Sequence, residues 1–173
     1  FHNPVIVALI FAEFCTGFVR QGVMLYFTEY LQEVYHLGKK DHLFWWTGIA
    51  FMGGGILGGL VCGWMSDKLF QSRRPPVAFL FYLVQVVMLA LLGMTLGQGS
   101  TGGQIWAVIL LGLTAMFIFG VHGMLSGTAS MDFGGRKAAA SVAGALDGIQ
   151  YIGSGLTGFG LGWILKTYGW DGV

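Results

Sequence analysis

Charged residues are scarce in this sequence. Nine Lys and Arg and eight Asp and Glu among 173 residues make 10% charged, against 55% hydrophobic, whereas about a quarter of the residues in soluble domains are charged. A surface of this composition cannot be kept in water, which excludes a soluble globular domain. The net charge of +1 gives no reason to expect a nucleic-acid partner. We predict an integral membrane protein whose first partner is the lipid bilayer.

Cysteines and the short motifs of enzymes are also scarce. The two cysteines, Cys15 and Cys62, both lie in apolar stretches, which favours reduced, buried thiols over a disulfide. The sequence contains no H-E-x-x-H, no G-x-S-x-G and no Cys/His ligand cluster. The run "GGGILGG" lacks the Gly-Lys-Ser/Thr that ends a nucleotide-binding loop. We therefore expect neither an enzyme, nor a metal site, nor a cofactor.

Long apolar stretches make up most of the chain. A helix needs about 20 apolar residues to cross a bilayer, and five stretches reach that length. Every backbone N–H and C=O must be paired inside lipid, so these stretches form helices, because a barrel would show alternating segments instead. The prediction is an all-α integral membrane fold. Its five transmembrane helices cover residues 4–35, 43–66, 77–96, 105–128 and 138–165.

Lysine and arginine are unevenly distributed between the loops. The loops at 67–76 and 132–137 hold five of them and the opposite loops hold three, and basic residues are enriched on the cytoplasmic side of a membrane. We predict that both of these loops are cytoplasmic, in a plasma or inner membrane. Because the number of crossings is odd and the first residue, Phe1, is not methionine, we expect a piece of a longer chain with a further helix.

Many of the 30 glycines lie inside the apolar stretches. Gly55, Gly59 and Gly63 follow one another at four-residue spacing in the second helix, and Gly158 and Gly162 do so in the fifth. Small residues four apart share a helix face and let a neighbouring backbone approach closely. We expect close helix packing at these faces, and smooth faces of this kind would also allow the helix movements of alternating access.

A few ionisable residues interrupt the apolar stretches, namely Glu13, Arg20, His122 and Asp147. An ionisable residue inside a membrane is a functional-site hypothesis by default. Arg20 is the most informative, because a guanidinium stays charged at physiological pH and its planar fork binds phosphate or carboxylate with two hydrogen bonds. An ion pair with Glu13 or Asp147 is the alternative, although Glu13 lies about 10 Å away along the helix axis.

Polar residues form a stripe along the fifth helix. Asp147, Gln150, Tyr151 and Ser154 recur at three- to four-residue spacing, so they share one helix face. Such a stripe lines a water-filled path or makes hydrogen bonds between helices, and the sequence does not decide between these two. His122, in the fourth helix, is similarly open between an interhelical hydrogen bond and a role in proton or substrate coupling.

The second helix ends in the sequence "GWMSDKLFQSRR", which resembles the loop motif of the major facilitator superfamily. In that family the motif recurs between the second and third helices of each six-helix half. It departs from the general pattern at Phe70, where the family has glycine. The resemblance implies a gating loop that contacts the other half of the transporter, while a simple topology signal is the alternative. The motif positions are occupied by Gly63, Asp67, Lys68, Arg73 and Arg74.

Three further stretches are similar to the organophosphate:phosphate antiporter branch of that superfamily. "FVRQG" resembles the seventh-helix segment with the substrate-binding arginine, which corresponds to Arg20. "RKAAASVAG" at 136–144 and "YGWDG" at 168–172 resemble the start of the eleventh helix and the turn before the twelfth. Tyr151 falls where bacterial members have a cavity tyrosine, whereas "LDG" at 146–148 looks more like the eukaryotic sugar-phosphate exchangers.

The resemblance implies that residues 1–173 are helices seven to eleven of a twelve-helix transporter, with the amino-terminal half and the last helix absent. It implies exchange of a phosphorylated organic solute, a glycerol phosphate or sugar phosphate, for inorganic phosphate by alternating access. The phosphate would lie between Arg20 and an arginine of the other half. We expect Tyr151, Asp147 and His122 to share this substrate site. A membrane sensor of sugar phosphate and a structural membrane subunit without transport are the alternatives.

Overall fold

The computed structural model describes residues 4–94 and 100–170, with the side chains of 7–94, 100–127, 131–132 and 138–170. The side chains of Arg136 and Lys137, which entered the topology prediction, and the end of the "YGWDG" motif lie outside this described part. The described chain is helical apart from short connections, which confirms the predicted all-α class. The five α-helices are α1 (Pro4–Val34), α2 (His42–Leu69), α3 (Arg74–Met94), α4 (Thr101–His122) and α5 (Ser130–Tyr168).

Four stretches of helix are long and apolar enough to cross a membrane, namely Val7–Val34, His42–Leu69, Arg74–Met94 and Thr101–Gly127. They correspond to the first four predicted spans. The fifth predicted span, 138–165, lies within α5, which is long enough to cross a bilayer. Within the described residues α5 is not among the four strongly apolar stretches, because Asp147, Gln150 and several glycines interrupt its apolar sequence. The apolar spans establish an integral membrane protein.

The connection between α4 and α5 differs from the prediction. We expected a loop at 132–137, but α5 already begins at Ser130, and a π-helical segment, Gly123–Ala129, joins it to α4. The predicted loop was inferred from its charges, which do not break a helix. The alanines that follow at 138–140 are the strongest helix formers, so the helix extends back through the charged residues.

The chain forms two compact units, and the first combines α1 up to Leu25 with the chain from His122 onward. Within it α1 and α5 run parallel and their backbones touch. A Cβ atom on Gly17 would collide with the backbone carbonyl of Gln150, and one on Gly153 would collide with the carbonyl of Phe14. Close packing of α5 through glycine was predicted at Gly158, but a Cβ there would meet no described atom within 4 Å.

The second unit comprises Tyr26–Val121, and its closest helix contact joins α2 and α4. Cβ atoms on Gly54 and Gly58 would collide with the backbone carbonyls of Gly112 and Met116. Of the predicted face, Gly55 does pack against α4, since its Cβ would come within 3.2 Å of the Phe119 ring, whereas Cβ atoms on Gly59 and Gly63 would meet nothing described within 4 Å. The glycine run fits four-residue spacing in two registers, and the sequence alone does not say which register faces α4.

Aromatic rings fill the space around the contact between α2 and α4. Phe51 stacks on Phe27 with ring centroids 5.0 Å apart and meets Phe119 edge-on at 5.8 Å. Phe81 packs edge-on against Phe117 at 5.0 Å. Cys62 is buried in this unit, and neither it nor Cys15 in the first unit forms a disulfide within the described residues, which agrees with the predicted reduced cysteines. The second unit is thus held together mainly by apolar packing.

Candidate functional site

Arg20 is held by α1 in the first unit with its guanidinium carbon 5.8 Å from the centroid of the Tyr151 ring on α5. A cation over an aromatic face at this distance is attracted by the ring quadrupole. The Nε atom of Arg20 is buried and has no hydrogen-bond partner among the described residues. The ion pair with Glu13 or Asp147 that the sequence left open is likewise absent among those residues. Arg20 thus retains unused hydrogen-bonding capacity.

Glu13 is completely buried, one turn before Gly17 on α1. Neither of its carboxylate oxygens has a hydrogen-bond partner in the described part of the chain, and neither does the buried Oδ1 of Asp147. The contact between Gly17 and Gln150 explains why these carboxyl groups are neighbours. Glu13 lies four residues before Gly17, and Asp147 lies three residues before Gln150. Because the two helices are parallel, both carboxyl groups lie about one helical turn before this contact.

His122 enters the site from the end of α4. Its Nδ1 atom lies 2.8 Å from the amide nitrogen of Gln150, whose side chain is buried. An amide nitrogen can only donate, so Nδ1 accepts and the neutral ring carries its proton on Nε2. His122 is therefore the acceptor of a hydrogen bond between helices, which is one of the two roles that the sequence left open. Its backbone carbonyl accepts a hydrogen bond from Ser126 Oγ at 3.0 Å.

The polar stripe of α5 divides into two sets. Ser154 Oγ donates to the carbonyl of Gly17 at 3.1 Å, and Thr157 Oγ1 donates to the carbonyl of Phe18 at 2.8 Å. These two side chains tie α5 to α1, and sequence reasoning missed Thr157, although it follows Ser154 at helical spacing. Tyr151 is 65% exposed, so its ring is available to a ligand beside Arg20. The hydrogen bonds of Ser154 and Gln150 fit the interhelical interpretation of the stripe, whereas a water-filled path beside Tyr151 stays a prediction.

The predicted gating loop is a short turn at 70–73 in the second unit, and its charges are partly paired within the turn itself. Asp67, in the last turn of α2, accepts a hydrogen bond from Ser72 Oγ at 3.1 Å. Arg74, the first residue of α3, lies 3.5 Å from the same Asp67 oxygen and donates to Ser66 Oγ at 3.0 Å. Lys68 and Arg73 are exposed. The Asp67–Arg74 pair therefore joins the ends of two helices of this chain.

The backbone of this turn explains the departure from the family pattern. Phe70 stands where glycine was expected, but its φ of −115° is open to any residue. The left-handed conformation falls instead on Gln71 and Ser72, with φ of 53° and 62°. Left-handed backbone is disfavoured for residues with a Cβ atom. The turn is accordingly built without glycine at the two positions where glycine would fit best.

The chain matches the family model of the Major Facilitator Superfamily over residues 1–158. It therefore belongs to this superfamily of membrane transporters. This confirms the predicted family and fold class, and it places the chain among transporters rather than enzymes. No solved structure matches the chain.

Curated relatives narrow the comparison. The chain is 31% identical over 172 residues to the glycerol-3-phosphate transporter of Bacillus subtilis, a match that covers 99% of the chain and 37% of that protein. It is 33% identical over 120 residues to a probable hexose phosphate transport protein of Chlamydia pneumoniae, covering 69% of the chain and 25% of that protein. The membrane sensor protein UhpC of Escherichia coli is 33% identical over 123 residues, covering 69% of the chain and 26% of that protein. The chain thus spans about a third or less of the length of these relatives, which confirm its relation to organophosphate transporters.

Proposed function

We propose that the protein containing this chain exchanges a phosphorylated organic solute for inorganic phosphate, with Arg20 as the anion-binding group. The proposal rests on the buried Nε atom of the Arg20 side chain, which is unpartnered within the described part of the chain. Arg20 lies in an apolar helix and cannot lose its charge, and its Nε has no partner among the described residues. A phosphate group with several acceptor oxygens would use the hydrogen-bonding capacity that the described protein groups leave open.

The neighbours of Arg20 suit a phosphorylated solute. Tyr151 holds one face of the guanidinium, which orients the fork, and its hydroxyl can donate to a phosphate oxygen. Asp147 is only half-buried, so its carboxylate can accept from a hydroxyl group of the organic part, and Nε2 of His122 can donate to the solute. Inorganic phosphate and a phosphate monoester present similar oxygens to Arg20, so they compete for one site. Competition of this kind supports exchange by alternating access.

Substitution of Arg20 by lysine in the full-length transporter tests this proposal. Lysine keeps the charge but loses the two-pronged hydrogen-bond geometry, so Arg20→Lys should lower the rate of phosphate exchange in reconstituted vesicles by about 10- to 100-fold. The control is Lys40→Arg, a charge-preserving change at an exposed position, which should exchange phosphate at the normal rate. Normal affinity for phosphate in Arg20→Lys would contradict the proposed role.

A sensor of sugar phosphate is a second candidate, favoured by the similarity to a membrane sensor protein. The same vesicles distinguish the two functions. A transporter shows counterflow of labelled phosphate, whereas a sensor binds the phosphorylated solute without flux. A structural subunit would do neither, since its charges would be satisfied within the protein.

We also propose that the exposed Lys68 and Arg73 contact the other half of the transporter at the cytoplasmic face in one conformation. Asp67 and Arg74 are already paired within the turn, so they fix its shape, and the two exposed cations project from a preformed support. Charge reversal of Lys68 and Arg73 together should shift the balance between the inward-open and outward-open states, measured by the accessibility of single cysteines on each side. An unchanged pattern of accessibility would contradict this gating role.

A further inference from the structure

The substrate site leaves one ionisable group without a function. Glu13 is completely buried, and neither of its oxygens has a hydrogen-bond partner within the described part of the chain. An ionised carboxylate in such a place loses its hydration without compensation, whereas a neutral carboxylic acid loses far less. Because no solute reaches a side chain with zero exposure, Glu13 is not placed to contact the substrate directly. Its chemistry therefore points to the smallest ligand, a proton.

A second carboxyl group stands beside Glu13. The parallel contact of α1 and α5 places Asp147 at the same level, one turn back from the Gly17–Gln150 contact. The Oδ1 atom of Asp147 is also buried without a partner among the described residues. Two neighbouring carboxyl groups repel each other when both are ionised, so they favour holding one proton between them.

Arg20 links this carboxyl pair to the anion site. Arg20 lies two turns after Glu13 on α1, about 10 Å along the helix axis, and its guanidinium packs on Tyr151, which follows Asp147 by one turn on α5. His122, at the end of α4, also lies beside α5, but its Nδ1 is occupied by Gln150. With one proton on the carboxyl pair, Glu13, Asp147 and Arg20 together are neutral. A phosphate group bound at Arg20 adds negative charge, and the pair then favours a further proton.

We propose that the Glu13–Asp147 carboxyl pair takes up a proton when phosphate binds at Arg20, so that a proton moves with the anion. This inference rests on the proposed function, since it requires an anion at Arg20. The proton comes from water on the side where the anion enters, forms an O–H bond with a carboxylate oxygen, and returns to water on the side where the anion leaves. By linkage, the same coupling strengthens phosphate binding as the proton concentration rises.

Proton uptake on phosphate binding tests the inference in the full-length transporter. Inorganic phosphate is added to purified protein in weakly buffered solution with a pH-indicator dye, and protons taken up per phosphate bound are counted for the normal protein and Glu13→Gln. Protonation of phosphate itself contributes equally to both at one pH and cancels in the difference. We expect uptake to be lower in Glu13→Gln by as much as about one proton per phosphate. The matched control, Glu29→Gln, changes an exposed glutamate of the same helix and should behave as the normal protein.

A measurement on the unaltered protein guards against a variant that fails to fold. The phosphate-induced infrared difference spectrum should contain the carbonyl band of a newly protonated carboxylic acid, shifted in heavy water. Equal proton uptake in Glu13→Gln and the normal protein, or absence of this band while phosphate binds, overturns the proton inference and leaves the proposed function standing. If phosphate does not bind to the unaltered protein at all, the proposed function fails, and the inference fails with it.

Discussion

The contact of α1 with α5 and the contact of α2 with α4 are both formed by glycines, but different kinds of side chain surround them. Each is a parallel helix pair in which glycines let one backbone touch the other, Gly17 and Gly153 in the first unit and Gly54 and Gly58 in the second. The first contact is flanked by hydroxyl, amide and ionisable side chains. The second is flanked by stacked and edge-on aromatic rings.

The comparison separates the role of the glycines from the role of the residues around them. In both units glycine sets how closely the helices approach, since a Cβ atom would collide with a carbonyl. The residues one turn away then decide what the contact does. Around α2 and α4 aromatic rings stabilise the helix pair by apolar packing. Around α1 and α5 they keep Glu13, Arg20 and Asp147 together, so close packing there positions the groups that we propose to bind the anion and the proton.

The largest effect on stability is expected from adding a methyl group at the two contacts. Gly17→Ala and Gly58→Ala each place a Cβ atom against a backbone carbonyl that cannot move aside, so each should destabilise the protein by about 1–3 kcal/mol. Gly59→Ala is the matched control, because its added Cβ would meet no described atom within 4 Å. The Tm of the purified full-length protein in detergent measures all three.

The rate of phosphate exchange should also distinguish the two helix contacts. Gly17→Ala should also reduce phosphate exchange in the protein that remains folded, because it displaces Gln150 and the neighbouring Asp147, whereas Gly58→Ala should lower Tm with less effect on the exchange rate per folded molecule. A Tm of Gly59→Ala as low as that of Gly58→Ala would show that the α2–α4 contact follows the other glycine register.

The sequence predicted the number, type and approximate bounds of the helices, because long apolar stretches have few alternatives in a membrane. It also singled out Arg20 and Tyr151, which the structure places together. It did not identify which glycines bring two helix backbones together, since Gly54 and Gly55 both begin a four-residue repeat but only Gly54 faces the backbone of α4. The sequence does not predict the extension of α5 back to Ser130, because the charged residues at 132–137 suit a loop as well as a helix.

An effect of intermediate size is expected from two buried threonines, one in each unit, that differ in their hydrogen bonding. Thr157 Oγ1 donates to the Phe18 carbonyl across the α1–α5 contact, whereas the Thr114 hydroxyl in α4 is buried without a partner among the described residues. Thr157→Val should therefore destabilise the protein by about 0.6 kcal/mol. Thr114→Val removes an unpaired polar group from an apolar place and should stabilise the protein by about 1 kcal/mol.

These two substitutions are chemically identical, so each is the control for the other. The free energy of unfolding in a mild denaturant, measured on the full-length protein, should move in opposite directions. An equal loss of stability in Thr114→Val and Thr157→Val would mean that the two threonine hydroxyls are equally well hydrogen-bonded. The contrast between the units would then depend on the ionisable residues alone.

The smallest effect is expected in the turn between α2 and α3. This turn contains no glycine, although its left-handed backbone favours glycine. Gln71 has a φ of 53° and an exposed side chain. Gln71→Gly relieves the steric cost of the left-handed conformation, about 1 kcal/mol, and loses part of that gain to the greater freedom of glycine in the unfolded chain. We expect a net stabilisation of a few tenths of a kcal/mol, measured as a rise in Tm.

The matched control makes the same substitution in a regular helix. Gln32 is exposed in α1, where glycine is about 1 kcal/mol less favourable than a good helix former, so Gln32→Gly should lower Tm. Opposite signs at the two glutamines would show that backbone conformation, rather than loss of the glutamine side chain, determines the result. A lower Tm in Gln71→Gly would indicate that the Asp67–Arg74 pair and the Ser72 hydrogen bond depend on a stiff turn, and that rigidity there outweighs local strain.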